Sequence, residues 1–286
     1  MRSLRLARMR AFLWRFQTLA LAHSLFDGAG GPRILRRRLF GFEIAVDVAR
    51  GNPQRLLILE GERFVAERRL VRSLLRPGMH AVDVGANIGY YLLLLAQAVG
   101  AGGTVSCFEP DPDNLAELER NARLNGLAGV RIHPAAVGAE DTTVELRGGI
   151  NSAVAAGGEI RVPLVRLDSA VTRPVGFLKI DVEGYEGHVL AGARQILTRD
   201  RPNLLLEIHP GLLPAPHTVD EMLRELGGLY ERIELHEIAP QDNLYDKLRA
   251  RYLGQGVRRI SHPEALLAAC RAGRREEPFW VVCQRP

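Results

Sequence analysis

From about residue 78 onward, short apolar runs ending in charged residues alternate with longer stretches of helical period. The runs Ala81–Val84, Thr104–Glu109, Val130–Ala136, Phe177–Asp181 and Leu204–His209 predict strands. Between them, Tyr90–Val99, Asp113–Asn125 and Gly187–Leu197 predict helices. Strands that alternate with helices imply right-handed crossovers and a parallel sheet. Tyr230–Leu235 and Phe279–Cys283 predict a closing pair with one antiparallel strand. The expected fold class is α/β: a doubly wound, Rossmann-like, mostly parallel sheet with a C-terminal antiparallel strand.

The pattern upstream is different. Leu4, Met9, Phe12, Leu13, Phe16 and Leu19 form a helical stripe opposite arginines, and Gly28-Ala29-Gly30-Gly31-Pro32 breaks it. Phe40–Val48 and Gln54–Leu59 predict strands joined by Gly51-Asn52-Pro53. Glu67–Leu75 predicts a helix closed by Arg76-Pro77-Gly78. The expected organisation is an arginine-rich helical segment over 1–39, a β/α extension over 40–77 and the main domain over 78–286.

Length and charge refine this picture. A chain of 286 residues that is 47% hydrophobic supports one large core plus an extension. The formal charge of +5 is concentrated at the start, where no acid precedes Asp27, and the remainder is near balance. Basic residues interleaved with aromatics, as used to stack bases, are missing, so no nucleic-acid partner is expected. Phe16–Phe26 is too short to span a bilayer. Its stripe reads first as a helix packed on its own domain or a partner; peripheral membrane contact through the arginines is the second reading. Cys107, Cys270 and Cys283 are scattered and lack zinc-site spacing, which fits a reducing compartment such as the cytoplasm.

The candidate chemistry begins at Val82-Asp83-Val84-Gly85-Ala86-Asn87-Ile88-Gly89, an apolar strand that ends in an acid and enters a glycine-bearing turn. A nicotinamide fingerprint needs glycine at the first, third and sixth positions; counting from Gly85, Asn87 and Tyr90 occupy the last two. Asp83 would repel a pyrophosphate and attract a cationic ligand by about 4 kcal/mol at an effective dielectric near 20. S-adenosylmethionine, with its ammonium and sulfonium, fits. Glu109 ends the next strand, where a carboxylate can accept from ribose hydroxyls. Adenine is expected near His133–Gly138, where Ala135 and Ala136 leave room for a flat ring. The candidate cofactor residues are Asp83, Gly85, Ala86, Asn87, Gly89, Glu109 and Ala136.

A second charged strand follows at Phe177-Leu178-Lys179-Ile180-Asp181-Val182-Glu183-Gly184-Tyr185-Glu186. Alternation puts Lys179, Asp181 and Glu183 on one face, and the carboxyl ends of such strands bind ligands. Lys179 reads as a structural ion pair. Glu207 and His209 repeat the arrangement one strand later, and His209 could serve as a general base. Asp181, Glu183 and His209 are the catalytic candidates, with His133 and His188 weaker. Clustered carboxylates can bind Mg2+, but no decisive ligand set is legible, so no metal site is assigned.

These segments resemble the FkbM family of S-adenosylmethionine-dependent methyltransferases, from about Gly78 to Pro210. The resemblance rests on the Val82–Gly89 turn, Phe108-Glu109-Pro110, Asn121 with Asn125, Arg166-Leu167-Asp168, and Lys179–Glu186. It implies the class I methyltransferase fold and O-methylation of a hydroxyl on a small molecule, sugar or glycolipid. Acceptors vary across the family, so the resemblance names none; the arginine-rich first segment and the region after Gly211 are expected to build or cover the acceptor pocket, and Asn151-Ser152 reads first as an ordinary turn, with reach to the acceptor as the second reading. The competing readings are a nucleotide-sugar or NAD enzyme on a similar sheet, and a non-catalytic or membrane-surface protein retaining the fold. The Asn-Pro-Pro-Tyr type of element used in base N-methylation is absent, with Asp181-Val182-Glu183-Gly184 in its place. Oligomeric state is not legible.

Overall fold

A computed structural model describes residues 33–60, 65–148, 153–154, 157–238 and 257–285. The arginine-rich stripe and Asn151-Ser152 lie outside the described residues. The described chain opens with an antiparallel hairpin of β1 (Ile34–Leu39) and β2 (Phe42–Asp47). Its turn passes through Phe40 and Gly41, both at positive φ. Ile34–Leu39 is therefore strand, not the end of a helical segment, and the hairpin crosses the boundary expected at residue 39. Gln54–Leu59, expected as a strand, lies within helix α1 (Asn52–Glu60). Pro53 suits a first helical turn, and the run that follows lacks strand alternation. Helix α2 (Val65–Leu74) precedes the main domain.

The main sheet is built from β3 (His80–Val84), β4 (Thr104–Phe108), β5 (Val130–His133), β10 (Phe177–Ile180), β11 (Asn203–Ile208), β12 (Arg232–Ile238), β13 (Val257–Arg259) and β14 (Phe279–Gln284). The order is β13-β12-β14-β11-β10-β3-β4-β5. Strands β3, β4, β5, β10 and β11 are parallel, and β14 runs antiparallel between β11 and β12. The expected closing pair is confirmed, with β13 as an additional antiparallel edge strand. Helices α3 (Tyr90–Val99) and α4 (Pro112–Leu124) are the crossovers on either side of β4.

The expected strand Val130–Ala136 splits. After His133 the chain leaves the main sheet, and β6 (Ala136–Val137) joins β7 (Thr142–Arg147), β8 (Ala153–Val154) and β9 (Ile160–Val165) in a separate four-stranded sheet. Helix α5 (Leu167–Ala170) leads back to β10. The helix expected over Gly187–Leu197 is two short helices, α6 (Glu186–Gly192) and α7 (Arg194–Asp200), separated at Ala193. Asp168 accepts from the backbone N–H groups of Gln195 and Ile196, each at 3.0 Å, and so caps the second of them. Helix α8 (Val219–Gly227) begins at a capping box of Thr218 and Glu221, and α9 (Pro263–Arg271) precedes β14.

Every residue of β3 and of β10 is buried. That placement at the centre explains their unbroken apolar character and makes any charge on them costly unless paired. Helix α3 is apolar on more than one face because it is covered twice. Leu92, Leu94 and Leu95 pack with the sheet, while Leu93 joins Ile44 and Val46 of the hairpin.

The hairpin is also tied to α4 by polar contacts. The Asp47 backbone N–H donates to Glu117 at 3.1 Å, and that of Ala45 to Asn121 at 2.7 Å. Asn125 accepts from the Glu43 N–H at 2.7 Å and returns a bond to the Glu43 carbonyl at 2.6 Å. The spacings match: four helical residues rise about 6 Å, close to the roughly 6.6 Å of two strand residues. One helix face thus replaces a neighbouring strand. Asn121 also donates to the Ile88 carbonyl at 2.8 Å, linking the hairpin to the glycine turn. Asn121→Ala should cost about 2–4 kcal/mol in denaturant unfolding, because it strands a buried donor and a buried acceptor. A loss under about 0.5 kcal/mol, within the usual range of surface substitutions, would show that the hairpin is held by apolar packing alone.

Candidate functional site

The turn after β3 is closed on itself. The N–H groups of Gly85 and Ala86 both donate to the Phe108 carbonyl, at 3.0 and 3.1 Å. The Asn87 N–H donates to Glu109 Oε2 at 2.7 Å, and the Ile88 N–H to the Asn87 side chain at 2.8 Å. The Gly89 N–H donates to the Ala86 carbonyl at 3.0 Å. Every backbone donor from Gly85 to Gly89 is therefore occupied within the protein. This is not the open cradle of N–H groups that binds a pyrophosphate, and it supports the exclusion reached from the glycine spacing by a separate route.

Gly85 serves a different purpose from the one expected. A Cβ there would lie 1.8 Å from the carbonyl oxygen of Asp181, and its φ is 82°. The missing side chain lets the turns after β3 and β10 touch. Gly89 packs toward Leu118 of α4, and Ala86 sits in the core. Neither lines the cleft, whereas Gly85 and Asn87 do.

That cleft, about 700 Å3 with part open to solvent, lies at the carboxyl ends of β3, β4 and β10. Glu109, Asp181 and Glu183 bring acids to it. Phe108, Ala135, Ala136, Val137, Leu146, Val154 and Tyr185 form apolar walls. Leu146 and Val154 come from the second sheet. The alternation in Thr142–Arg147 could have suggested a strand, but nothing local says that it folds over the cleft.

Glu109 is 3% exposed, and its second oxygen accepts from the Asp111 N–H at 3.0 Å. Burial pushes its carboxyl up to about 7, against the pull of the Asp111 and Asn87 N–H groups. Asp111 itself caps α4, accepting from Asp113 and Asn114. The side chain of His133 stacks on Phe108 with centroids 4.3 Å apart, and His188 stacks on Tyr185 at 4.2 Å; their contacts are those of packing residues.

Asp83 requires a correction. It is fully buried in β3 and does not line the cleft. Lys179 Nζ lies 3.4 Å from Asp83 and 3.2 Å from Asp181, and 4.5 Å from the centroid of the Tyr91 ring. The Asp83 charge thus faces a protein cation, and the attraction assigned to a cationic ligand goes largely to Lys179. Burial works against the Lys179 charge, but Asp181, Asp83 and Glu207 outweigh it and raise the ammonium above its ordinary range. The expected structural ion pair is present.

The acceptor-side candidates do converge. His209 Nε2 lies 3.5 Å from Glu183, and Nδ1 lies 2.7 Å from the fully buried Glu186. Glu207 stands 4.0 Å from the ring and accepts from Trp280 Nε1 at 3.0 Å. Burial opposes the charged ring, yet the bond to Glu186 and the charges of Asp181 and Glu183 hold His209 up to about 9. An imidazolium has no lone pair for a proton, so the ring as it stands near neutral pH is not the general base expected of it. Glu186, Trp280, and the buried Glu67 bonded to Tyr91 were not anticipated as parts of this network.

A model described as the methyltransferase FkbM domain matches residues 83–230, from the acid of β3 to the approach of β12. The chain belongs to the FkbM methyltransferase family. It is 32% identical over 211 residues to the 31-O-demethyl-FK506 methyltransferase FkbM of Streptomyces tacrolimicus, with 60% of this chain and 78% of that protein covered. A shorter likeness, 45% over 49 residues, joins 17% of this chain to 19% of the tRNA (adenine(58)-N(1))-methyltransferase TrmI of Thermus thermophilus. Among solved structures, a methyltransferase FkbM from Methylobacillus flagellatus KT is 21% identical with a TM-score of 0.43, over 63% of this chain and 48% of that one. The chain thus spans about half the length of that solved relative. Membership in the FkbM family makes this a methyltransferase domain, and the class I architecture implies S-adenosylmethionine as the donor. No helix among the described residues is long and apolar enough to cross a membrane.

Proposed function

We propose that this FkbM-family protein transfers the methyl group of S-adenosylmethionine to a hydroxyl of a small molecule or glycan. The observation that carries this reading is the division of the cleft. One end offers Glu109 and apolar walls, and the other offers Asp181 and Glu183, with no free backbone donors for an anion in the turn between them. Bound there, S-adenosylmethionine supplies a methyl already activated by its sulfonium. The protein's part is to hold, align and deprotonate.

Glu109 would accept from the ribose hydroxyls. Ala135, Ala136, Leu146 and Val154 would flank the adenine, and Gly85 with Asn87 would border the methionine end. Asp181 and Glu183 would face the acceptor and take its hydroxyl proton. His209 holds Glu183 in place, and Lys179 fixes Asp181.

A labelled-methyl assay over sugars, glycolipids and phenols tests the acceptor class. Label recovered only on amines or on RNA would overturn the hydroxyl assignment. The ribose role of Glu109 makes a further prediction. Hydroxyls donate to the ionised carboxylate, so S-adenosylhomocysteine affinity should rise about tenfold from about pH 6 to about pH 8. For the ligand-free chain the sign reverses. The folded value near 7 exceeds the ordinary 4.5, so the stability Glu109 contributes is fully present below about 4.5 and lost as pH climbs through about 7. Calorimetry across that range, with Glu109→Gln as the control that removes the dependence, checks it.

A further inference from the structure

We infer that Asp181, Glu183 and His209 form a binding site for a divalent transition-metal cation at the acceptor end of the cleft. One ligand atom from each lies within 4.8 Å of the others, the spread expected of groups that can close on one ion.

The strongest support is the orientation of the imidazole. His209 is 8% exposed, and its Nδ1 is held by Glu186, a carboxylate with no exposure at all. Carboxylate, histidine and metal commonly stand in this order, with the outer acid fixing which ring nitrogen faces the ion. The other nitrogen, Nε2, makes no hydrogen bond among the described residues. It is ion-paired with Glu183 at 3.5 Å and has Glu207 at 4.0 Å, both longer than an ordinary hydrogen bond. A ring nitrogen aimed by the bond on its opposite side at two carboxylates, both at longer than hydrogen-bond distance, is what a ligand set looks like around an ion's position.

Charge gives independent support. Asp83, Asp181, Glu183, Glu186 and Glu207 surround Lys179 and His209, so acids outnumber cations. Neither oxygen of the buried Asp83 has a hydrogen-bond partner, and Lys179 divides its charge between Asp83 and Asp181. One divalent cation in the place of the Nε2 proton would lower that excess by one charge.

An imidazole with two carboxylates suits Mn2+, Fe2+ or Zn2+ better than Mg2+ or Ca2+, which prefer oxygen throughout. Three protein ligands leave coordination positions open for oxygens of the acceptor. Resting on the proposed transfer to a hydroxyl, the cation would hold the acceptor oxygen. The O–H bond would then release its proton, at a lower pH than a free hydroxyl does, to the carboxylate oxygen of Glu183 that the ion does not hold.

The test is titration of the full chain with Mn2+, followed by calorimetry and by the electron paramagnetic resonance signal of the free ion, with and without S-adenosylhomocysteine. One saturable site per chain is expected. Glu183→Gln, a partly exposed and nearly isosteric change, should weaken it at least tenfold, with His209→Gln comparable. Glu186→Gln, acting only through the ring, should weaken it by roughly tenfold. Circular dichroism and retained S-adenosylhomocysteine binding establish folding of each variant. Absence of a saturable Mn2+ or Zn2+ site, or affinity unchanged in both Glu183→Gln and His209→Gln, overturns the inference. A wild type that binds S-adenosylhomocysteine but no metal rejects the cation alone. A chain that binds Mn2+ through these residues but methylates no hydroxyl rejects the proposed function alone.

Discussion

Glu109→Ala should weaken S-adenosylhomocysteine binding by about ten- to a hundredfold. The side chain has two duties. Facing the cleft, its carboxylate is the proposed partner of the ribose, and hydrogen bonds to a charged group contribute about 1.5–3 kcal/mol each. Facing the protein, it accepts from the N–H groups of Asn87 and Asp111 at 2.7 and 3.0 Å, and so braces the turn after β3 and the start of α4. Alanine removes both functions. Glu109→Gln separates them, because its amide oxygen can still accept from one backbone group while the charge is lost. Calorimetry should rank wild type above Gln and Gln above Ala. Equal affinity in all three would remove Glu109 from the cofactor site and with it the main support for the donor's orientation.

Gly85→Ala should abolish methyl transfer and destabilise the fold. The added methyl would meet the Asp181 carbonyl oxygen at 1.8 Å, at a φ of 82°. The backbone conformation alone costs about 1–2 kcal/mol for a residue with a Cβ. The clash adds to this, because Asp181 belongs to the central ladder, where its N–H donates to the Val84 carbonyl at 3.0 Å. Relief requires the turns after β3 and β10 to part, which moves Asn87 and Asp181 together. Gly78→Ala is the control: its φ is also positive at 83°, but nothing lies within 4 Å of the new methyl. A thermal midpoint lowered by several degrees beyond the control is expected, since about 1 kcal/mol shifts a domain of this size by roughly 2–4 °C. Midpoints equal in the two variants would mean that contact between the turns does not constrain the site.

The end of the cleft beside Glu109 was more legible than the end beside Asp181 and Glu183. Glu109 could be placed because one strand, one glycine turn and the next strand follow each other directly in parallel β/α units. Register is then nearly fixed by adjacency, and acids at neighbouring strand ends must face one cleft. Asp83 was placed correctly on its strand but given the wrong partner. Its neutralisation by Lys179 depends on β10 pairing beside β3, and those residues are almost a hundred positions apart in the sequence. The general-base reading of His209 erred for a similar reason. An isolated histidine titrates near neutrality, and only folding brings Glu186, Glu183 and Asp181 close enough to retain its proton. The strand expected over Gln54–Leu59 failed locally. Gln54–Leu59 is too short, and apolar in its last four residues, for periodicity to separate helix from strand.

What the sequence determined by itself was the α/β alternation, the glycine turn that fits no nicotinamide fingerprint, and the acids at the ends of β4 and β10. These depend on local period and on neighbours close along the chain. The tertiary structure decided which charges cancel, which glycine is a contact between turns, and how the asparagines of α4 stand in for a strand beside β2. It also decided that the second sheet supplies walls to the cleft, and that Asp181, Glu183 and His209 meet at one point. Each of these is a contact between segments distant in sequence, set by strand order and packing, so it has no signature in any single stretch of the chain.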